Sequence, residues 1–284
     1  MRVPAPRTAL LVTALCLGAC PVLAGLVGID RVDEKTFSGI VRCMKNCALQ
    51  DAIDLGMKIT GTAPAFDERY ACRHIDEAWA IDYGDKRSRA ALHGGIDIPA
   101  PRGTPILAIA DGEVVAMFDN HETAVGVRVF LQHAPEQTGK PFWIYSEYAH
   151  LLELPPLAIG QYVRRGDQVG KTSNTGISGA EARARAGDNT ARSRDRRNAI
   201  HFSIMYSDTS DYAIFRKNGG YLIPVNGRWM DPVAVYRPAP PYASEALLVL
   251  PETEKRVPVP FQTEAGEVVP PTSKLIWPYA CNSR

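Results

Sequence analysis

The sequence predicts a mainly β protein: a core of short strands, with a helix before it and an extended tail after it. Three observations carry that expectation. Between residues 79 and 236, short apolar runs alternate with turns rich in Gly, Pro and Asp, the texture of an all-β core. Between residues 30 and 60 the apolar residues instead recur at three- and four-residue steps, the period of an amphipathic helix. From residue 237 to 284 nine prolines interrupt any long regular element, so this stretch should run extended and wrap the core. A chain of 284 residues with 45% hydrophobic content has room for one large domain or two small ones around a real core.

The first residues read as an export signal. Arg2 and Arg7 precede an apolar run from Ala9 to Ala19, with no acid before Asp30. That run is too short to span a bilayer comfortably. Two cleavage readings compete. Val22-Leu23-Ala24 fits a small-residue site and gives a signal peptide over residues 1–24. Leu17-Gly18-Ala19-Cys20 resembles a bacterial lipobox, which gives a lipoprotein signal over 1–19 and a lipid anchor through Cys20. Either reading sends the mature protein out of the cytoplasm, to the periplasm or cell envelope. Without residues 1–24 the balance is 30 basic against 31 acidic residues. That leaves no global field to favour nucleic acid or an anionic membrane surface.

Within the helical segment, 25–78, the apolar positions are Phe37, Ile40, Val41, Met44, Ala48, Ala52 and Ile53, and Gly61 is a plausible stop. Cys43 and Cys47 lie four apart on the predicted helix, so their thiols face one way and are poorly placed to bridge each other. With Cys72 and Cys281 they make an even count in an exported chain, which points to two disulfides. One helical cysteine would then reach Cys72 and the other Cys281. Free buried thiols and a cysteine metal pair are the competing readings.

Through the β region, 79–236, the predicted strands are Ile106–Ala110 and Glu113–Phe118 about an Asp111-Gly112 hairpin turn, then Val125–His133, Trp143–Leu151, Ile159–Val163, Asp167–Lys171 and Ala199–Tyr206. In the last of these Ile200, Phe202, Ile204 and Tyr206 share one face, and Ala199, His201, Ser203 and Met205 the other. Residues 181–197 interrupt the pattern with six arginines, three acids and no large apolar side chain. The stretch reads as a solvated loop insertion or as a basic flap able to hold an anionic substrate. The tail, 237–284, ends near Cys281, which could pin it.

Chemistry concentrates at His93-Gly94-Gly95-Ile96-Asp97. Two glycines and two nearby isoleucines favour strand over helix, and in a strand residues 93, 95 and 97 share a face. His93 and Asp97 can then approach one metal ion, with Gly95 leaving room between them. Ile96 and Ile98 turn into the core. A zinc site needs at least one further protein ligand. Of the six histidines, His93, His150 and His201 lie in strand contexts that could converge.

The order of these segments resembles the lysostaphin/LytM-like zinc metallopeptidases, which cut peptide cross-links of peptidoglycan. The resemblance runs from about Tyr83 to Tyr236. Tyr83-Gly84 followed by Arg87 is similar to the family's lead-in, with one extra residue. His93-Gly94-Gly95-Ile96-Asp97 matches H-G-G-x-D, and Gly103-Thr104-Pro105-Ile106 with Ala110-Asp111-Gly112-Glu113-Val114 matches the stretch that follows it. Tyr148-Ala149-His150-Leu151 matches Y-x-H-L. Gly160, Val163, Gly166, Val169 and Gly170 match the glycine-rich turn, and Ser173-Asn174-Thr175-Gly176 matches S-x-T-G. The resemblance implies an antiparallel β-sheet core of the duplicated-hybrid-motif type. It also implies a zinc ion held by His93, Asp97 and His201 with a fourth position open, and His150 as a catalytic histidine. One departure stands out. The family ends its site with H-x-H, and here the segment is Ala199-Ile200-His201, which keeps the ligand histidine and loses the catalytic one.

Three function classes follow. The first is a zinc metalloendopeptidase on peptidoglycan cross-link peptides, slowed by Ala199. The second is a non-catalytic peptidoglycan-binding regulator of a cell-wall amidase or other hydrolase. The third is a structural envelope protein with a stabilising zinc. Activators in the family usually lose the zinc ligands, which this chain keeps. Structural zinc sites are normally closed by four protein ligands, not three.

Overall fold

The computed structural model describes residues 25–41, 49–75, 83–84, 86–87, 91–177 and 197–284. The fold is mainly β, built on an antiparallel sheet. Its seven strands are β1 (Gly95–Pro99), β2 (Gly112–Phe118), β3 (Arg128–His133), β4 (Trp143–Ala149), β5 (Tyr162–Val163), β6 (Ala199–Ser207) and β7 (Arg228–Met230). Their order is β5-β2-β3-β4-β6-β7, with β1 also paired to β6. The long strand β6 organises the sheet. One edge runs along β4 from His201 to Ser207, and the other is shared between β1 at Ala199–Ser203 and β7 at Ile204–Tyr206.

Alternation decides which face is core. Ile200, Phe202 and Ile204 of β6 and Ile96 and Ile98 of β1 are almost wholly buried on one side. Each such side chain contributes roughly 1.5–3 kcal/mol when fully buried. Tyr148 and Phe202 stack beside them, with Ile106 and Ile109 beyond. The opposite face carries Asp97, Glu147, His201 and Ser203, so an all-apolar sequence on one side leaves the chemistry on the other.

Strand partners differ from the expectation at the Asp111-Gly112 turn. β2 pairs with β3, not with the strand before the turn, which spans Pro105–Leu107 and pairs with Gln168–Lys171. The turn is used otherwise: the Asp111 carbonyl accepts His133 Nδ1–H at 2.7 Å, and its side chain accepts the Arg165 N–H at 2.8 Å. The N-terminal segment contains two helices among the described residues, α1 (Glu34–Val41) and α2 (Leu49–Asp54). Helix ends at Asp54, earlier than Gly61, because Gly56 turns the chain at φ 104°, with the Trp229 carbonyl packed against its Cα. None of the described helices is long and apolar enough to cross a membrane.

The segment after α2 and the tail clasp each other. Ala63–Ala65 runs parallel to Arg256–Pro258, and Tyr70–Ala71 pairs antiparallel with Asn282–Ser283. A Cys72–Cys281 disulfide fixes this clasp across 209 residues of sequence. The expected pairing of these cysteines to the helix is therefore corrected: they bond to one another, since adjacent strands bring them together. Cys43 and Cys47 lie outside the described residues, as do the export signal, Cys20 and most of the Arg-rich stretch. The tail supplies core residues of its own: Ile276, Trp277 and Tyr279 are fully buried.

Candidate metal centre

Three donors meet at one point. His93 stands two residues before β1, Asp97 lies within it, and His201 sits opposite Asp97 in the β1–β6 register. His93 Nε2 is 2.9 Å from His201 Nδ1, His201 Nδ1 is 3.0 Å from Asp97 Oδ1, and His93 Nε2 is 3.4 Å from the same oxygen. Gly95 makes this convergence possible. A Cβ there would stand 2.8 Å from His201 Nε2 and 2.5 Å from the Phe202 carbonyl oxygen. Any larger residue would push β1 and β6 apart.

The donor set fits zinc. A tetrahedral ion with ligands at about 2.0–2.1 Å places neighbouring donor atoms roughly 3.3 Å apart. The three separations here bracket that value, and two imidazoles with one carboxylate is an ordinary zinc donor set. Electrostatics points the same way. Burial pushes the Asp97 carboxyl up, but the His93 and His201 imidazoles outweigh it and hold it well below the usual carboxylate range. The group therefore stays an anion, as a metal ligand must.

His150 stands beside the donors, its ring centroid 5.9 Å from that of His201. It follows β4 directly and takes φ 61°, an uncommon conformation for a non-glycine residue. Its backbone N–H donates to Val125 O at 3.1 Å, and Nδ1 lies 3.0 Å from Thr175 O. A carbonyl only accepts, so Nδ1 carries the proton in this contact. Ala199 pairs with Pro99 and shares the face of Asp97 and His201. It offers only a methyl group there. The other histidines lie elsewhere: His74 packs on Phe66, His121 is exposed beside Asp119, and His133 is fully buried on the core side.

A cavity of about 140 Å³ opens beside the donors, with His93, His150 and His201 on its polar side. Ile40 of α1, Met57, Tyr221 and Trp229 make apolar walls. Sequence reading missed its other polar members, Arg128 and Glu147. Arg128 Nη1 donates to Glu147 Oε1 at 2.7 Å, and Ser203 Oγ donates to Glu147 Oε2 at 2.7 Å. Arg128 Nη2 donates to the carbonyls of Gly219 and Gly220, and the guanidinium packs against Phe118, Phe130 and Tyr221. This buried pair ties β3, β4 and β6 to the loop covering them. The strand register puts residues 128 and 147 on the face of Asp97 and His201, opposite the apolar core.

Residues 91–211 match the model of Peptidase family M23. Over those residues the chain is similar to the M23 peptidases. The peptidases of this family are zinc-dependent. The chain is 33% identical over 123 residues to the cell division protein DipM of Caulobacter vibrioides, covering 41% of this chain and 19% of DipM. It is 35% identical over 109 residues to the peptidoglycan DD-endopeptidase ShyA of Vibrio cholerae, covering 36% of this chain and 23% of ShyA. The match thus spans about a fifth of each relative. Among solved structures, an alanine-to-histidine mutant of the catalytic domain of the prophage-encoded M23 protein EnpA of Enterococcus faecalis aligns at 23% identity. It covers 50% of this chain and 85% of that one, with a TM-score of 0.32. The M23 domain holds all the residues described above as donors or as their neighbour His150.

Proposed function

We propose that this protein is an exported zinc metalloendopeptidase acting on the cross-link peptides of peptidoglycan in the periplasm or cell envelope. Its M23 domain would occupy residues 79–236, after a signal over 1–24 or 1–19 and a helical segment over 25–78, and before the tail of 237–284. His93, Asp97 and His201 would hold the ion. The observation that carries this reading is the convergence of three donors on one point beside a cavity that also contains His150. The name of ShyA, a peptidoglycan DD-endopeptidase, supports a cell-wall setting.

When bound, zinc supplies Lewis-acid polarisation of a scissile carbonyl and a water nucleophile active near neutral pH. The residues of the chain supply the rest. Asp97, kept anionic, would be the third donor beside the two imidazoles. His150, anchored through Nδ1 to Thr175, moves a proton at Nε2 or donates from it to a developing oxyanion. Ala199 can do neither. Loss of one acid–base group costs about 10²–10⁴ in rate, so hydrolysis should be slow. The second reading is a regulator that binds peptidoglycan and acts through another hydrolase, and the methyl group of Ala199 is the observation that favours it. Purified sacculi incubated with the mature chain separate the two. The enzyme releases peptide fragments, and a chelator stops it. The regulator releases none even when loaded with zinc.

A further inference from the structure

The cavity beside the metal centre lies on the donors' face of the sheet, and the strand registers fix this. His201, Ser203 and Met205 alternate onto one face of β6, Asp97 is paired with His201, and Trp229 of β7 is paired with Met205. His201, Met205 and Trp229 all line the cavity, so it runs along β6 from a donor imidazole to a thioether. Four residues of strand separate those two, roughly 13 Å. The space reaches the surface where Ala124 is exposed and Leu92 and Gly94 are half-buried. Ile40, Met57, Met205, Leu222 and Trp229 are buried.

Two features decide what can enter. The first is the apolar wall. Ile40 and Met57 precede residues 91–211, and Leu222 and Trp229 follow them, so this wall is added to the metal-holding strands from outside the M23 match. A Cβ at Gly94, next to the donor His93, would stand 3.0 Å from the Met57 methyl and 3.1 Å from the Trp229 ring. Glycine there lets the wall stand close to a donor. The second feature is charge. Glu147 and Arg128 bond to each other, so the pair leaves no net charge for a ligand. Glu147 also accepts from Ser203, and Arg128 Nη2 is taken by the Gly219 and Gly220 carbonyls. Only Arg128 Nε lacks a partner. A charged group entering would give up its water without finding a free counter-ion, whereas an apolar group gains with each methylene it buries. The volume, about 140 Å³, is close to that of an apolar cavity of about 150 Å³ that takes up benzene.

We infer that this cavity is a specificity pocket of the metal site, which takes an uncharged, apolar side chain of the bound peptide and excludes charged ones. This rests on the peptidase reading for the identity of the ligand, and binding tests it separately from cleavage. The probes are straight-chain hydroxamic acids, from acetohydroxamic to octanohydroxamic acid, with succinic acid monohydroxamate as a probe ending in a carboxylate. The hydroxamate end ligates zinc and the tail samples the cavity. Affinity is measured calorimetrically on the full mature chain loaded with zinc. It should rise about three- to fourfold per methylene and level off at about six carbons. The carboxylate-tipped probe should bind at least tenfold more weakly than butanohydroxamic acid; tighter binding would show that Arg128 Nε attracts an anion. Ala124→Phe, which fills the mouth from an exposed position, should flatten the rise. Met205→Ala, which lengthens the cavity, should move the levelling point to longer tails. Circular dichroism, thermal melting and zinc content of each variant report folding and loading. Affinity indifferent to tail length, or tighter binding of the carboxylate-tipped probe, overturns the inference while the peptidase reading stands. A rise that both folded variants leave unchanged also overturns it, because the tail would then lie elsewhere. A rise that Ala124→Phe flattens, in a chain that releases nothing from sacculi, would sink the peptidase reading and keep the pocket. Absence of binding of every probe to the zinc-loaded chain overturns the inference.

Discussion

Two positions on one face of β6, two residues apart, behave in opposite ways. At His201 a ring nitrogen stands within 3.0 Å of both the His93 and Asp97 donors. At Ala199 the same face ends in a methyl group, paired across the ladder with Pro99. The contrast teaches that holding a metal and moving protons are separate properties of this site. The donors are fixed by the register of β1 on β6, which a change at residue 199 leaves intact. On the proposed reading, proton transfer would depend on side chains beside the donors, where the chain has His150 and, at residue 199, a methyl group.

The sharpest way to break the contrast is to remove its metal-holding half. His201→Ala should reduce bound zinc from close to one equivalent to almost none, as read by metal analysis of the dialysed protein. Retention of a full equivalent would show that the donors were assigned wrongly. Next in size is Glu147→Gln, which leaves the buried Arg128 charge without its carboxylate. Removing one partner of a buried pair costs about 3–5 kcal/mol, visible as a lower denaturation midpoint. Because Glu147 reaches β6 through Ser203 and is not a donor, folded Glu147→Gln should still take up one equivalent of zinc. Loss of zinc from a folded variant would mean that the pair positions the donors directly.

A smaller effect separates the two faces of the sheet. Burial pushes the His133 imidazole down to about 4, against the backbone contact to Asp111, which raises it. The unfolded chain titrates near the ordinary value of about 6.5. Between those values the unfolded state binds more protons, so the contribution is fully present above pH ~6.5 and is lost as pH falls to about 4. The shift corresponds to roughly 3 kcal/mol. Urea midpoints of the metal-free protein should fall across that window, and His133→Gln should lose that part of the slope. An unchanged slope would remove His133 from the account.

Local features were legible in the sequence, and long-range ones were not. The alternation of Ile200, Phe202 and Ile204 against Ala199, His201 and Ser203 is a property of neighbouring residues, and β6 follows it. For His93, Gly95 and Asp97 the expectation of one shared strand face is corrected in part: Gly95 and Asp97 lie in β1, and His93 stands two residues before it. Strand partners depend on the whole chain. Asp111-Gly112 has the chemistry of a hairpin turn, yet Pro105–Leu107 finds its partner some sixty residues later. Cys72 and Cys281 meet only because Tyr70–Ala71 and Asn282–Ser283 pair at opposite ends of the chain. Arg128 and Glu147 meet because β3 and β4 lie side by side, which is a matter of strand pairing and not of local sequence.

The most direct test of the central claim restores the missing imidazole. Wild type and Ala199→His are assayed side by side on purified sacculi, each with its zinc content measured. The account predicts equal zinc, slow chelator-sensitive release by wild type, and release faster by about 10²-fold or more from Ala199→His through recovered acid–base catalysis. Robust wild-type cleavage that Ala199→His does not improve would contradict it, because the site would then lack nothing at residue 199.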